Sequence, residues 1–465
     1  MDSKLSLKKY IAVIAILLVL VMTVLDVTLV NVALPVMADE FGVSDSNAVW
    51  IITIYQLAIT MLLLPLSSVG DLFSYRRNFL IGVVVFTLAS ALCAASESFT
   101  MILLARTLQG IGAACVMSVN IALTRLIYPH HILGRGLALN AMVIAIATAA
   151  GPTLAGCILS VASWHWLFLI NVPFGVVAFI IGKRLLPSNP TKTHNPKFDW
   201  ISGIENTIVF GLIFYALGSY ARKGDFAVNT IILCIGLVIG VFYIRRQLNK
   251  ETPMFPVDLF RIKLYSESIA TSVCSFIAQN LAMISLPFLF LGRLGFSEIS
   301  TGLLMTPWPL ATMIVSPMAA RFVEKHNPGI TAAVGMGVYA LGIALMLCIP
   351  SESVSQFDIV WRMALCGIGF GLFQTPNNIV MVIATPVQRT GGAGGMQSTA
   401  RLVGQTLGAT AVTFIFAISS QAVSVDICLY AAATPYSEIS CISRVRICTS
   451  KGMPSVPMTV VWRDW

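Results

Sequence analysis

The feature with the clearest chemical potential is a single carboxylate inside a long apolar run. Asp26 is the only charged residue between Lys9 and Asp39, in the stretch LDVTLVNVALP at positions 25–35. A carboxylate at membrane depth costs about 2.5–3.5 kcal/mol on insertion scales, so such residues usually serve a function. A desolvated carboxylate can be protonated or charged, depending on its access to water. Asp26 therefore suits proton exchange; the alternative is a structural carboxylate paired with a neighbouring helix, with Arg106 as the partner.

Arg106 is the second charged group in this set, in the stretch ARTLQGIGAA at positions 105–114. Because a guanidinium stays protonated in proteins, it must face an acid or a polar cavity. Arg106 is expected to form a proton-coupling pair with Asp26, or else to anchor its helix on backbone carbonyls. Gln109 lies three residues later, and we expect it to hydrogen-bond in the same cluster.

Five uncharged side chains are the candidates for a substrate cavity. Their amide groups and one indole ring are polar or aromatic features inside apolar segments. Gln279 and Asn280 either line a cavity or bond neighbouring helices, and Trp308 offers an aromatic wall for a flat cation or simply packs. The full candidate set is Asn31, Gln109, Gln279, Asn280 and Trp308.

The composition determines the class of protein that must position these groups. Of the 465 residues, 57% are hydrophobic and 11% are charged, whereas soluble domains carry about 25% charged residues. Apolar windows of spanning length occur near residues 11–33, 49–68, 79–96, 101–123, 136–158, 166–186, 201–219, 228–244, 268–291, 301–320, 330–349, 360–383 and 402–420. The sequence therefore predicts an all-α polytopic membrane protein with about 13–14 transmembrane helices, the first of them a span rather than a signal peptide.

The placement of the basic residues predicts the orientation. The net charge is +9, but the lysines and arginines form short clusters between apolar runs, which argues against nucleic-acid binding. With the N-terminus inside, the cytoplasmic segments carry 20 basic residues, Arg401 counted among them, and the outer loops carry four. The positive-inside rule then predicts a cytoplasmic N-terminus.

The sequence lacks the motifs that are typical of nucleotide binding, metal binding and hydrolytic catalysis. The glycine-rich stretch GGAGG at 391–395 has no GK[ST] ending, so a nucleotide is not expected. The ten cysteines form no CxxC pair, and HExxH and GxSxG are absent, so neither a metal, another cofactor nor an enzyme is expected. A polytopic enzyme acting on lipid-linked substrates is the least favoured alternative.

Several motifs resemble those of the major facilitator superfamily. ARTLQGIGAA is similar to its fourth-helix motif, SSVGDLFSYRR (67–77) to its loop between helices two and three, and AAGPTLAG (149–156) to the fifth-helix motif of its antiporters. LDVTLVNVALP, WHWLFLINVPFG (164–175), LLMTPWPLA (303–311) and RTGGAGGMQSTARLVGQTLG (389–408) resemble the drug:proton antiporter family with fourteen spans, of the putative enterobacterial multidrug exporter type. The resemblance covers about residues 10–420.

The resemblance implies an architecture of two six-helix bundles with an inserted helix pair. The expected segments are an N-terminal bundle at 1–190, the pair with its linkers at 191–250, a C-terminal bundle at 251–422 and an atypical tail at 423–465. Residues 434–465 contain no window of spanning length, so we expect an incomplete fourteenth helix and a truncated or frame-shifted end.

The resemblance also implies roles for two further groups of residues. Asp71, Arg76 and Arg77 would form a gating loop that latches the two bundles together, although Ser67 and Ser74 stand where the family usually has glycine. Gly151 and Pro152 would shape an inter-helix contact that favours exchange over symport.

The function that the resemblance implies is export of small amphipathic or cationic compounds in exchange for protons. The setting would be a bacterial inner membrane, with a monomer in the lipid bilayer and no nucleotide or nucleic acid as partner. Export of a native metabolite by the same fold is the alternative that the sequence leaves open.

Overall fold

A computed structural model describes residues 7–128, 133–187, 199–221, 225–250, 253–323, 326–349, 355–385, 390–419 and 421–433. No strand occurs in these ranges. The helices are α1 (Leu7–Phe41), α2 (Asp45–Ala48), α3 (Trp50–Leu72), α4 (Tyr75–Ala94), α5 (Phe99–Ile127), α6 (Leu133–Val161), α7 (His165–Leu169), α8 (Asn171–Leu185), α9 (Trp200–Ala221), α10 (Phe226–Leu248), α11 (Lys263–Pro287), α12 (Glu298–Met305), α13 (Pro307–Val323), α14 (Pro328–Leu347), α15 (Gln356–Ile383), α16 (Thr390–Ile418) and α17 (Gln421–Ala433). A π-helical turn, Phe288–Arg293, extends α11.

Thirteen spans in the described part of the chain are long and apolar enough to cross a membrane. This number confirms the windows predicted from hydropathy. Three spans are made of consecutive helices, α2 with α3, α7 with α8, and α12 with α13, because the backbone breaks within the apolar run. The last helix, α17, has 13 residues, and its apolar part is Val423–Ala433. The expected anomaly at 434–465 lies outside the described residues.

The spans form the two expected bundles, and each contains a close helix crossing built on glycine. In the N-terminal bundle, α4 crosses α5 where a Cβ on Gly112 would lie 2.5 Å from the backbone nitrogen of Phe86. In the C-terminal bundle, α14 crosses α15 where a Cβ on Gly369 would lie 2.2 Å from the nitrogen of Tyr339. Small residues allow such backbone approach between membrane helices. The all-α architecture is thus confirmed, whereas the exact domain boundaries remain predictions.

The inserted pair, α9 and α10, packs on one side of the two bundles. α9 contacts both α3 of the N-terminal bundle and α16 of the C-terminal bundle, and α10 packs on α9. The Asn206 amide on α9 is fully buried and donates to the carbonyl of Met61 on α3 at 2.9 Å. Glu205, which the sequence left between an interfacial and a functional role, accepts from Arg246 of α10 at 3.4 Å. The observed contact of Glu205 is thus an ion pair between the two inserted helices.

The two bundles share one hydrophobic core in the half of the molecule away from the start of α1. This shared core joins Leu34 and Trp164 of the N-terminal bundle to Phe290 and Val412 of the C-terminal bundle. Hydrogen bonds accompany it: the Ser46 hydroxyl donates to the Thr413 carbonyl at 2.9 Å. The bundles are therefore packed together in this half.

The other half contains the face where α1 begins, here called the N-terminal face. Its cores are separate: one contains residues of the N-terminal bundle, such as Val13 and Tyr128, and another contains residues of the C-terminal bundle, such as Tyr265 and Met396. The largest shared core therefore lies in the far half, and a smaller cluster joins Leu402 of the C-terminal bundle to Tyr55 and Leu63 of the N-terminal bundle.

One sequence-based assignment is wrong at the start of α16. The window at 402–420 left Arg401 and GGAGG in a cytoplasmic loop, but the helix begins at Thr390 and its apolar span is Gly395–Ile418. Glycine lowers helix propensity in water. In a membrane protein, packing and the need to satisfy backbone groups override that preference.

Candidate functional site

Asp26 and Arg106 meet in the interior of the N-terminal bundle. α1 carries the carboxylate and α5 the guanidinium, and Arg106 Nη1 donates to Asp26 Oδ2 at 2.5 Å. Both side chains are 0% exposed. A buried pair of this kind is costly to form from water and far more costly to leave half made. The residues predicted to couple protons are thus in direct contact.

Three amide and hydroxyl groups complete the network around the carboxylate. Gln109 Nε2 donates to Asp26 Oδ1 at 2.7 Å and to the Ser90 hydroxyl at 2.9 Å, while Gln109 Oε1 accepts from Arg106 Nη1 at 2.7 Å. Asn171 Nδ2 on α8 donates to Asp26 Oδ1 at 3.4 Å. Gln109 therefore belongs to the charged cluster, as expected, and it serves both partners of the ion pair.

Aromatic rings and one carbonyl enclose the guanidinium. Its carbon lies 4.2 Å from the ring centroid of Tyr55 and 5.6 Å from that of Phe168. Arg106 Nε donates to the Ile51 carbonyl at 3.1 Å. Within the described residues, Arg106 Nη2 and the Tyr55 hydroxyl have no hydrogen-bond partner. Both oxygens of the Asp26 carboxylate accept hydrogen bonds within this cluster, from Arg106 on one side and from Gln109 and Asn171 on the other.

Tyr55, Ser90 and Asn171 were missed by sequence reasoning. Each comes from a different helix, so no spacing along the chain links it to Asp26. The signal that could have identified these three residues is the presence of a polar side chain inside an apolar span. Asn171 stands inside WHWLFLINVPFG, a stretch that carried the family resemblance.

The residues predicted to face the substrate are spread over several environments. Asn31 on α1 is buried, and its Oδ1 has no partner among the described residues. Gln279 on α11 is partly exposed. Asn280 bridges the bundles, with Nδ2 donating to the Gln405 carbonyl at 2.5 Å and to Gln56 Oε1 at 3.5 Å. These positions do not form one cluster in this conformation.

Trp308 has the surroundings of a core side chain. It is 0% exposed, and its ring meets Tyr339 edge-on with the centroids 5.5 Å apart. A Cβ on Gly367 would lie 2.1 Å from the Trp308 carbonyl, so α13 and α15 are in close contact there. Of the two roles considered for Trp308, packing in the core agrees with this geometry.

The predicted gating loop lies between α3 and α4 at the N-terminal face. Arg76 Nη2 donates to the carbonyl of Lys183 near the end of α8, within the same bundle. The Arg77 side chain is exposed. The side chain of Asp71 lies outside the described part of the structure, so the latch stays a prediction.

Gly151 and Pro152 lie where α6 contacts both α1 and α12. A Cβ on Gly151 would lie 2.0 Å from Thr28 Oγ1 on α1. A Cβ on Gly302 of α12 would lie 2.2 Å from the Pro152 carbonyl. The pair therefore sits at a contact between the two bundles, in the place where the family resemblance expects an inter-helix contact.

Comparison with known proteins agrees with this architecture. The family model described as Major Facilitator Superfamily matches residues 16–409. The chain is 46% identical over 443 residues to the uncharacterized transporter YebQ of Escherichia coli (strain K12), covering 95% of this chain and 96% of that protein. It is 30% identical over 395 residues to the multidrug resistance protein Stp of Mycobacterium tuberculosis (strain CDC 1551 / Oshkosh), covering 84% and 72%.

A solved structure shows the same fold at low sequence identity. A POT family transporter in complex with a thioalcohol-conjugated peptide superposes with a TM-score of 0.72 at 14% identity, covering 94% of this chain and 96% of that one. Together with the thirteen apolar spans and the matched family model, this establishes that the chain belongs to the Major Facilitator Superfamily and is a multi-pass membrane transporter.

Proposed function

We propose that the protein exports small amphipathic or cationic compounds across the bacterial inner membrane in exchange for protons. The observation that carries the proposal is the sealed cluster in which Asp26 meets Arg106, Gln109 and Asn171. An exchanger needs a group that takes up a proton on one side and gives it up on the other. A multidrug resistance protein among the relatives supports the substrate class.

The arrangement of the bundles suggests which step of the cycle this conformation represents. With the N-terminal face in the cytoplasm, the shared core lies in the outer half and the separate cores lie in the inner half. This is the arrangement of a transporter whose interior faces the cytoplasm. Asp26 is then paired with Arg106, and we assign this arrangement to the step after proton release.

The remaining steps follow from the contacts around the pair. When the bundles rock and open outward, a change in packing around Tyr55 and Phe168 would separate the guanidinium from the carboxylate. Asp26 could then take a proton from outside while the substrate leaves. Return to the present conformation re-forms the pair and expels the proton inward, because the bonded network stabilises the charged form.

The test uses energised inverted membrane vesicles that contain the protein. Addition of a quaternary ammonium compound, an acridine-type dye or an amphipathic carboxylic acid should release the interior acid gradient if the compound enters in exchange for protons. Asp26→Asn should abolish the release. The matched control is Asp39→Asn, because Asp39 is an exposed carboxylate at the end of the same helix.

Each outcome separates two parts of the proposal. Release by the wild type and by Asp39→Asn, with none by an Asp26→Asn variant that is present and folded in the vesicles, supports proton exchange through Asp26. Equal release by all three variants, above the release from vesicles without the protein, keeps the exchanger and reduces Asp26 to a structural role. Uptake of labelled compound without any release of the gradient rejects proton coupling.

A further inference from the structure

Arg401 is a charged residue at membrane depth that the Asp26 cluster does not use. It lies on α16, which begins at Thr390, and within the apolar span Gly395–Ile418. Charged residues at such depth face the interior of a bundle or a water-filled cavity and tend to mark substrate paths.

The guanidinium of Arg401 has no counter-charge in the described part of the molecule. None of the ion pairs joins it to a carboxylate. Its Nε atom is buried and has no hydrogen-bond partner there. The carboxylate of Asp26 is already engaged by Arg106. The interior of the described spans therefore carries an excess positive charge at Arg401.

The two residues that flank Arg401 pack into different bundles. Its neighbour Ala400 belongs to the separate core of the C-terminal bundle, whereas its other neighbour, Leu402, packs in a cluster with Tyr55 and Leu63 of the N-terminal bundle. Arg401 is thus at the seam between the bundles and is partly exposed. Gln405, one turn further along α16, is also partly exposed.

Apolar side chains surround Leu402, the residue next to Arg401 in the chain. The cluster that contains Leu402 is bordered by partly buried hydrophobic residues from α1, α3 and α5: Val27, Leu62, Leu66 and Met117. A guanidinium without a described counter-charge, one residue away from an apolar cluster, is complementary to a molecule with an acidic group and a hydrophobic body. Guanidinium is also the side chain best shaped to bind a carboxylate through two parallel hydrogen bonds.

We propose that Arg401 binds the acidic group of the transported compound, so that the preferred substrates are amphipathic molecules that carry a carboxylate or a similar anion. This inference rests on the proposed transport function and narrows its substrate class. An acidic substrate supplies the counter-charge that the described residues lack. A compound with only positive charge is disfavoured at this position.

The test is a binding measurement that needs no proton gradient. The protein is placed in nanodiscs of zwitterionic lipid and titrated with 11-(dansylamino)undecanoic acid and, separately, with its methyl ester, using dansyl fluorescence corrected for protein-free nanodiscs. The wild type should bind the acid at least about tenfold more tightly than the ester, as expected for a charge-assisted hydrogen bond. Arg401→Gln should remove that preference, and Arg401→Lys should retain part of it. Arg245→Gln, at an exposed arginine of α10, should change neither affinity.

Two results would overturn the proposal. Equal affinity of the wild type for acid and ester would do so even if Arg401→Gln failed to fold, and so would an equal loss of both affinities in a folded Arg401→Gln variant. The titration is repeated in nanodiscs that contain anionic lipid. If that lipid completely displaces the dansyl acid, the site would be assigned to a lipid headgroup instead. The binding assay is independent of proton exchange. A negative binding result therefore does not affect the proton-exchange proposal, and a negative vesicle result does not affect the proposal for Arg401.

Discussion

At the scale of single residues, removing either partner of the buried pair alone is expected to cost stability. Arg106 contributes its charge to Asp26, its Nε to the Ile51 carbonyl and its flat face to Tyr55. A lysine could replace only the charge, because it lacks the planar group and the second donor. The pair therefore has a structural as well as a functional importance.

We expect Arg106→Gln to destabilise the protein by about 3–5 kcal/mol, because it leaves a buried carboxylate without its cation. A second substitution, Asp26→Asn, should recover most of that loss, since both groups are then neutral and can still hydrogen-bond. The measurement is the thermal unfolding midpoint of the purified variants in detergent. If the double variant were as unstable as Arg106→Gln, an unpaired charge would not be the cause.

The sequence identified Asp26, Arg106 and Gln109 because each is polar in an apolar run and the last two share a helix. It could not identify Tyr55 or Asn171 as their neighbours. Those contacts depend on how α3 and α8 are rotated against α1, and helix rotation is set by packing rather than by composition.

At the scale of helices, close crossings are located where glycine leaves room for a neighbouring side chain. The contact of Gly151 with Thr28 is the tightest one involving a predicted site residue, since a Cβ there would lie 2.0 Å from the threonine hydroxyl. α6 must therefore approach α1 at this glycine. The same segment then reaches α12 through Pro152 and Gly302.

Gly151→Ala should cost about 1–3 kcal/mol, because the added methyl group forces α1 and α6 apart. The matched control is Gly337→Ala on α14, where a Cβ meets nothing within 4 Å. That change should be neutral, or stabilising by up to about 1 kcal/mol, through helix propensity. Thermal unfolding of the two variants in detergent measures the difference, and equal stability would show that α6 has room to shift.

Hydropathy predicted the number and order of the spans because lipid requires about 20 apolar residues for each one. It failed at the start of α16 because glycine and arginine resemble a loop when they are judged by composition alone. The breaks between α7 and α8 and between α12 and α13 were also missed, since they lie inside the continuous apolar windows 166–186 and 301–320.

At the scale of the whole molecule, the relation between the bundles is the property that a sequence pattern does not contain. The far half has one shared core and direct polar contacts across it. The hydroxyls of Thr153 on α6 and Thr306 between α12 and α13 are 2.5 Å apart. A transporter that alternates between two arrangements must break this contact in the other one.

A disulfide between Thr153→Cys and Thr306→Cys should hold the present arrangement. We expect oxidation to abolish substrate-dependent release of the vesicle gradient and a reductant to restore it. The control is a cysteine pair at Asn120 and Asn140, whose side chains are 3.2 Å apart on α5 and α6 within one bundle. Mass spectrometry confirms each crosslink, and unchanged transport by the crosslinked inter-bundle variant would show that these bundles do not separate there.

The inserted pair makes the two long edges of the molecule different for anything dissolved in the bilayer. α9 lies against both α3 and α16 and so covers the line where those helices meet, while α6 meets α12 and α13 on another line, where neither α9 nor α10 makes an extensive contact with α6 in the described structure. A hydrophobic compound that diffuses sideways from the membrane therefore encounters one shielded entrance and one unshielded entrance. Lateral entry, where it occurs, is one-sided in this architecture.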